Sequence, residues 1–233
     1  MLRYSDELRY GSPDEVFFFK PAVDGAEPAQ APQNMLVKIA ATSGATVLES
    51  AECTWNADAG RIELPLDLSG PSPALLCASY RAEVGFDIAG RRLVFDCAFD
   101  VVPRPWQPNV GTVELLALAP ALACADDGDT LAAIVGEAEE QLRLRIRAAG
   151  LIPGLVANRA ALDQCLRSLI LSLACQRASR NAGKDGLWNK HLSWQAAYES
   201  KWRELSASLH YDGDRDGSPH AIGRDVAAVR LKP

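Results

Sequence analysis

LWNKHLSWQAAYESKWRELSASLHYDGDRDG (Leu187–Gly217) reads as a helix that runs into an Asp-rich turn. Leu187, His191, Gln195, Tyr198, Trp202, Leu205 and Leu209 recur at steps of three and four, which puts them along one side of a helix. Glu199, Lys201, Arg203 and Glu204 flank that stripe and can keep their charges in water. Trp194, Tyr198 and Trp202 bring more aromatic surface than a lone helix could bury, so the helix needs neighbours. The expectation is a wall of a helical core, closed by Leu209-His210-Tyr211-Asp212 and then Gly-Asp-Arg-Asp-Gly.

The neighbours lie just upstream. A helix starts near Asn158, and Ala161, Leu162, Cys165, Leu166, Leu169, Ile170, Leu173 and Ala174 give it an apolar face wide enough for the centre of a bundle. Before it, Leu131, Ile134, Val135, Ala138, Leu142, Ile146 and Ala149 make one stripe, with Asp129 as a plausible N-cap. The acids of that helix (Glu137, Glu139, Glu140) come early and its arginines (Arg143, Arg145, Arg147) late, as the helix dipole favours. Gly150 and then Pro153-Gly154 end it. One or two further helical turns are expected around Val113–Leu118, before Pro120.

Towards the N-terminus the period changes from three-to-four to two. Pro103, Pro105 and Pro108 form a stiff link, and the domain boundary is placed at 105/106. Ahead of it, strand-like runs recur at 15–20, 35–42, 45–55, 61–68, 74–88 and 91–102, separated by Gly-, Pro- and Asn-containing turns. Tyr80, Ala82, Val84, Phe86 and Ile88 alternate with polar or small residues. After Ala89-Gly90 the same alternation continues through Leu93, Phe95, Cys97, Phe99 and Val101, the pattern of a hairpin with one buried face. The expected fold is α+β in separate domains. A polar arm (1–14) precedes an antiparallel β-sandwich of immunoglobulin-like type (15–105), a three- to four-helix bundle (106–217) and an extended tail (218–233).

Composition narrows the function. The net charge of −6 falls in residues 1–105, and residues 106–233 balance acids against bases. Neither part has the cationic excess that replaces phosphate counterions, so sequence-specific nucleic-acid binding is not expected. The six cysteines (Cys53, Cys77, Cys97, Cys124, Cys165, Cys175) sit in apolar runs without CxxC or CxxH spacing and read as buried thiols. No secretory signal or membrane-spanning run is evident, and a cytosolic site of synthesis is the default. Hydrolase triads, nucleophile elbows and phosphate loops are missing, so no enzyme is expected and no catalytic residue or cofactor is assigned.

Asp212, Asp214, Asp216 and Gly217 match the opening of a calcium loop, where alternating oxygen ligands and a glycine suit a hard cation. The ninth and twelfth positions are His220 and Gly223, which breaks the match, so these aspartates are weak metal candidates and a solvated turn is the plainer reading. His191 lies on the apolar stripe and reads as a packed core residue.

The segment Tyr198-x3-Trp202-x2-Leu205-x3-Leu209-x-Tyr211-Asp212, followed by Asp214-x-Asp216-Gly217, resembles the last helix of the head-to-tail adaptor (connector) proteins of tailed bacteriophages. The likeness spans roughly residues 126–217 and rests on helix lengths and this one motif. It implies a structural virion protein of the neck, made in the host cytoplasm. Such a protein forms a ring beneath the portal and joins capsid to tail. The implied partners are the portal ring, neighbouring copies in a twelve-fold ring and other neck or tail proteins, with DNA passing through the ring and no membrane contact. Tyr211, Asp212, Arg224, Arg230 and Leu231 are the expected partner-binding residues. Two other readings stand beside it: an immunoglobulin-like binding or adhesion module of a phage or bacterial surface assembly, and a calcium-binding bacterial protein.

Overall fold

The computed structural model describes residues 4–22, 28, 30–41, 46–50, 53–69, 79–118, 128–182, 185–211 and 220–221. The fold is mixed α+β, with β-sheets and four α-helices among these residues. The chain divides between Pro105 and Trp106 into two compact units, each with its own hydrophobic core.

Among its described residues the first unit has eight strands: β1 (Glu7–Arg9), β2 (Glu15–Phe19), β3 (Gln33–Ala41), β4 (Thr46–Ser50), β5 (Thr54–Asn56), β6 (Arg61–Leu66), β7 (Ser79–Ile88) and β8 (Arg91–Val102). One sheet runs β1-β8-β7-β3-β4 and the other β2-β6-β5. The alternation in β7 and β8 sends Tyr80, Ala82, Val84, Phe86, Cys97, Phe99 and Val101 inward, while Arg81, Glu83, Asp96 and Ala98 face water. Phe17 and Phe19 of β2 meet them from the other sheet, with ring centroids 5.4 Å apart for Phe17–Phe99 and 5.2 Å for Phe19–Phe95. Each such buried aromatic contributes a few kcal/mol of transfer free energy, which makes this cluster the main tie between the sheets. Ala89 and Gly90, both at positive φ, close the β7–β8 hairpin in the two-residue turn whose twist matches the strands.

Two expectations change here. Residues 4–9 are no irregular arm: Tyr4 bridges Phe19, Ser5 bonds Phe18, and Glu7–Arg9 then pair with β8 in parallel. The sheets are therefore not wholly antiparallel. Leu8 is the reason the segment docks, because it is 2% exposed at the core's edge although its neighbours are polar. The run 45–55 is not one strand either. β4 pairs with β3 in the five-stranded sheet and β5 with β6 in the other. Period-two alternation reads the same whichever sheet a strand joins, so the crossing leaves no mark in the pattern.

The second unit holds α1 (Thr112–Leu118), α2 (Gly128–Ala148), a 3-10 turn (Pro153–Leu155), α3 (Arg159–Ala182) and α4 (Asp185–Ala207). Short strands β9 (His210–Tyr211) and β10 (His220–Ala221) follow and pair antiparallel. α2 buries Leu131, Ile134, Ala138, Leu142 and Ile146. It ends in a Schellman motif: Leu151 N donates to Ile146 O, Gly150 N donates to Arg147 O, and Gly150 takes the left-handed conformation at φ 76°. α3 buries Leu162, Cys165, Leu166, Ile170, Leu171, Ala174 and Cys175, so apolar contact reaches it from more than one side and it is the central helix. α4 buries His191, Tyr198 and Leu205 as the stripe anticipated, and Leu209 just beyond it is buried too, but Gln195 is exposed and Trp194 takes the half-buried place beside it.

Candidate interaction site of the helical unit

α4 is held to its neighbours by polar contacts as well as by its aromatic stripe. Arg145 Nη1 and Nη2 of α2 donate to the two carboxylate oxygens of Glu199, each at 2.8 Å. The same guanidinium stacks over Tyr198 and Trp202, 4.9 Å and 4.6 Å from their ring centroids. A planar, delocalised cation with a fixed donor fork suits this place, because its edge meets a carboxylate while its faces meet rings. The hydrogen bonds from Arg145 hold the Glu199 carboxyl below its usual range.

Between α3 and α4, His191 Nδ1 lies 2.9 Å from Ser172 Oγ and 3.0 Å from the Ser172 carbonyl oxygen. Both residues are buried, so this polar pair reads as a satisfied core contact and not a ligand set. At the start of the unit Trp106 is 1% exposed; its Nε1 donates to Asp163 Oδ1 and its carbonyl accepts from the buried Arg143. Arg143 also pairs with Glu139 at 2.9 Å, which satisfies a cation that would otherwise be costly to bury.

Beyond α4 the chain is pinned at a defined point. Asn158 Oδ1 accepts from His210 N at 3.0 Å, and Asn158 Nδ2 donates to Ser208 O at 3.2 Å. Ala157 N donates to His210 O, Val156 bridges Tyr211, and the Tyr211 hydroxyl accepts from Ile152 N at 3.2 Å. Tyr211 is thus half-buried against the loop between α2 and α3 and packs on the chain's own core. Its pairing with His220 brings together the two ends of the Asp-rich segment. Asp212, Asp214, Asp216, Arg224, Arg230 and Leu231 lie outside the described residues, as do Cys77 and Cys124.

No known protein family, curated protein or solved structure matches this chain.

Some large apolar side chains of the helical unit remain in contact with solvent. Trp188 and Leu192, one turn apart on α4, are 43% and 48% exposed, and Leu144 of α2 is 60% exposed. Sequence reading missed this pair because it follows the buried stripe; the signal was their spacing of four on another side of the same helix. The Arg145 clamp was also missed, since its partners are more than fifty residues away and no local pattern announces them. The four described cysteines, Cys53, Cys97, Cys165 and Cys175, are buried free thiols. Burial pushes Cys97 up to about 12 and Cys165 up to about 11, which suppresses the thiolate that nucleophilic chemistry needs. Among the described residues no group of three or more His, Cys, Asp or Glu could hold a metal ion. Nor is any helix among them long and apolar enough to cross a membrane.

Proposed function

We propose that this chain is a structural virion protein, a head-to-tail adaptor that forms a ring beneath the portal and links the capsid to the tail. The observation that carries the reading is the surface of the helical unit. Its core is closed around α3, yet Leu144, Trp188 and Leu192 stand exposed on two different helices. Copies arranged in a ring meet through unlike patches, one from each neighbour, so apolar residues on separate helices suit that arrangement. The pinned β9 strand supports it as well, because it gives the following segment a fixed departure point.

In this reading the helical unit is a bundle, with α3 inside and α4 bearing one ring contact. Asp212, Arg224, Arg230 and Leu231 reach the portal ring, while Tyr211 serves as the hinge-side anchor of that reach. The other partners are neighbouring copies, in twelve-fold number if they match the portal, and further neck or tail proteins; DNA passes through the ring. The β unit is read as an immunoglobulin-like sandwich. Its three-stranded sheet β2-β6-β5 corresponds to strands B, E and D of that architecture, and β4-β3-β7-β8 to C′, C, F and G. The cross-sheet aromatic cluster supports the pairing of the two layers.

The test is assembly onto portal-bearing heads. Trp188→Glu combined with Leu192→Glu replaces only exposed side chains, so the fold should survive while ring formation and head binding are lost. Truncation after Gly217 should abolish attachment. Normal particle assembly with either variant contradicts the proposal.

A further inference from the structure

Among the described residues only Asn34 (φ 48°) and Ala89 (φ 50°) combine a side chain with left-handed backbone. Both line the same concavity of about 830 Å³, where β3 begins and β7 turns into β8. Asn is among the residues that enter this region readily, and Ala89 takes it to close the β7–β8 hairpin, so both positions are fixed by the backbone around the concavity. The β3–β7 register also slips between Gln33 and Leu36, a bulge at the same site.

The polar groups of the concavity are already oriented. Asn34 Nδ2 donates to Asp87 Oδ2 at 2.7 Å, and Arg92 Nη1 donates to the Asn34 carbonyl oxygen at 2.6 Å and to Asp87 Oδ1 at 3.3 Å. Gly85 leaves room for that arginine: a Cβ there would lie 2.6 Å from Arg92 Nη2. Asn34, followed by Arg92, holds the Asp87 carboxyl below the usual carboxylate range, so it stays anionic at neutral pH and offsets the guanidinium. With Gln30 and Gln33 the lining offers amide, carboxylate and guanidinium groups but no net charge.

A charged ligand gains no Coulomb advantage from such a lining. A ligand whose hydroxyls each donate and accept does gain, because amide and carboxylate–guanidinium pairs match it on both counts. The volume is that of a small-molecule site. We propose that the pocket formed by Gln30, Gln33, Asn34, Asp87, Ala89 and Arg92 binds a neutral saccharide. This site stands apart from the adaptor reading, and either can fail without the other.

The experiment is an NMR titration of the full 15N-labelled chain with the methyl glycosides of glucose, galactose, mannose and N-acetylglucosamine, with sodium acetate as a charged control. At least one glycoside should shift the Asn34, Ala89 and Gly90 amides and saturate with a Kd of about 10 mM or tighter. Gln30→Ala with Gln33→Ala removes two exposed amides and should weaken binding at least about tenfold with Tm unchanged. Asn34→Gly keeps the left-handed backbone while deleting the amide and should do the same. The proposal is overturned if no glycoside shifts those amides, if the shifts map elsewhere, if acetate reproduces them, or if both variants bind as the parent does.

Discussion

Replacing Arg145 by alanine should destabilise the helical unit by about 1.5–3 kcal/mol. The bidentate bond to Glu199 has good geometry but is partly solvated, with side-chain exposures of 31% for Arg145 and 43% for Glu199. It therefore contributes about 0.5–1 kcal/mol after screening. Stacking over Tyr198 and Trp202 adds about 1–2 kcal/mol, since one guanidinium is shared between a buried ring and a half-buried one. Arg145→Lys keeps the charge but loses the fork and the flat faces, so it should recover less than half of the deficit. A double-mutant cycle with Glu199→Gln should give a coupling of about 0.5–1 kcal/mol. The coupling depends on pH with a definite sign. Glu199 is lowered in the folded state, so its contribution is complete above the unfolded value of about 4.3 and is lost as pH falls through the folded one. Urea unfolding followed by far-ultraviolet circular dichroism measures all of this, because the helices lie in one unit. A loss below about 0.5 kcal/mol for Arg145→Ala, or a lysine variant as stable as the parent, would refute the clamp.

Ala89→Asn should stabilise the β unit by about 0.5–1 kcal/mol, because Asn-Gly is the preferred pair for a turn with two positive φ values; thermal melting checks it. Leu166→Ala, at a site with no exposure in the central helix, should cost about 2–5 kcal/mol in denaturant unfolding. Cys97 and Cys165 should resist a thiol-specific disulfide reagent in the native state and react on unfolding. Both thiols are raised in the folded state, so their burial favours folding fully below the unfolded value of about 8.5. That contribution should fall as pH rises towards about 11 to 12, which alkaline denaturation would register.

Periodicity announced the elements whose burial is regular. The Tyr80–Val101 hairpin, the α2 stripe and the wide face of α3 are visible because one face of each meets a core. Three features were hidden for three reasons. β1 is anchored by Leu8 in a polar segment, too short for a period to show. β4 and β5 were merged because alternation does not encode which sheet a strand joins. Gln195 was placed on the buried stripe because spacing alone could not choose between it and Trp194. At the candidate interaction site, Tyr211 was legible as part of the segment that closes the aromatic helix, but its place in β9 and its ties to Ile152 and Val156 across the fold were not. The concavity proposed to take a saccharide left no pattern in the sequence, since Asn34 and Arg92 meet only through the β3–β7 and β7–β8 pairings.

Quantitative mass spectrometry of purified tailed particles from the strain that encodes this chain tests the adaptor reading most directly. The account predicts the chain in the particles at the copy number of the portal protein. Its absence from particles made while the gene is expressed would contradict the account.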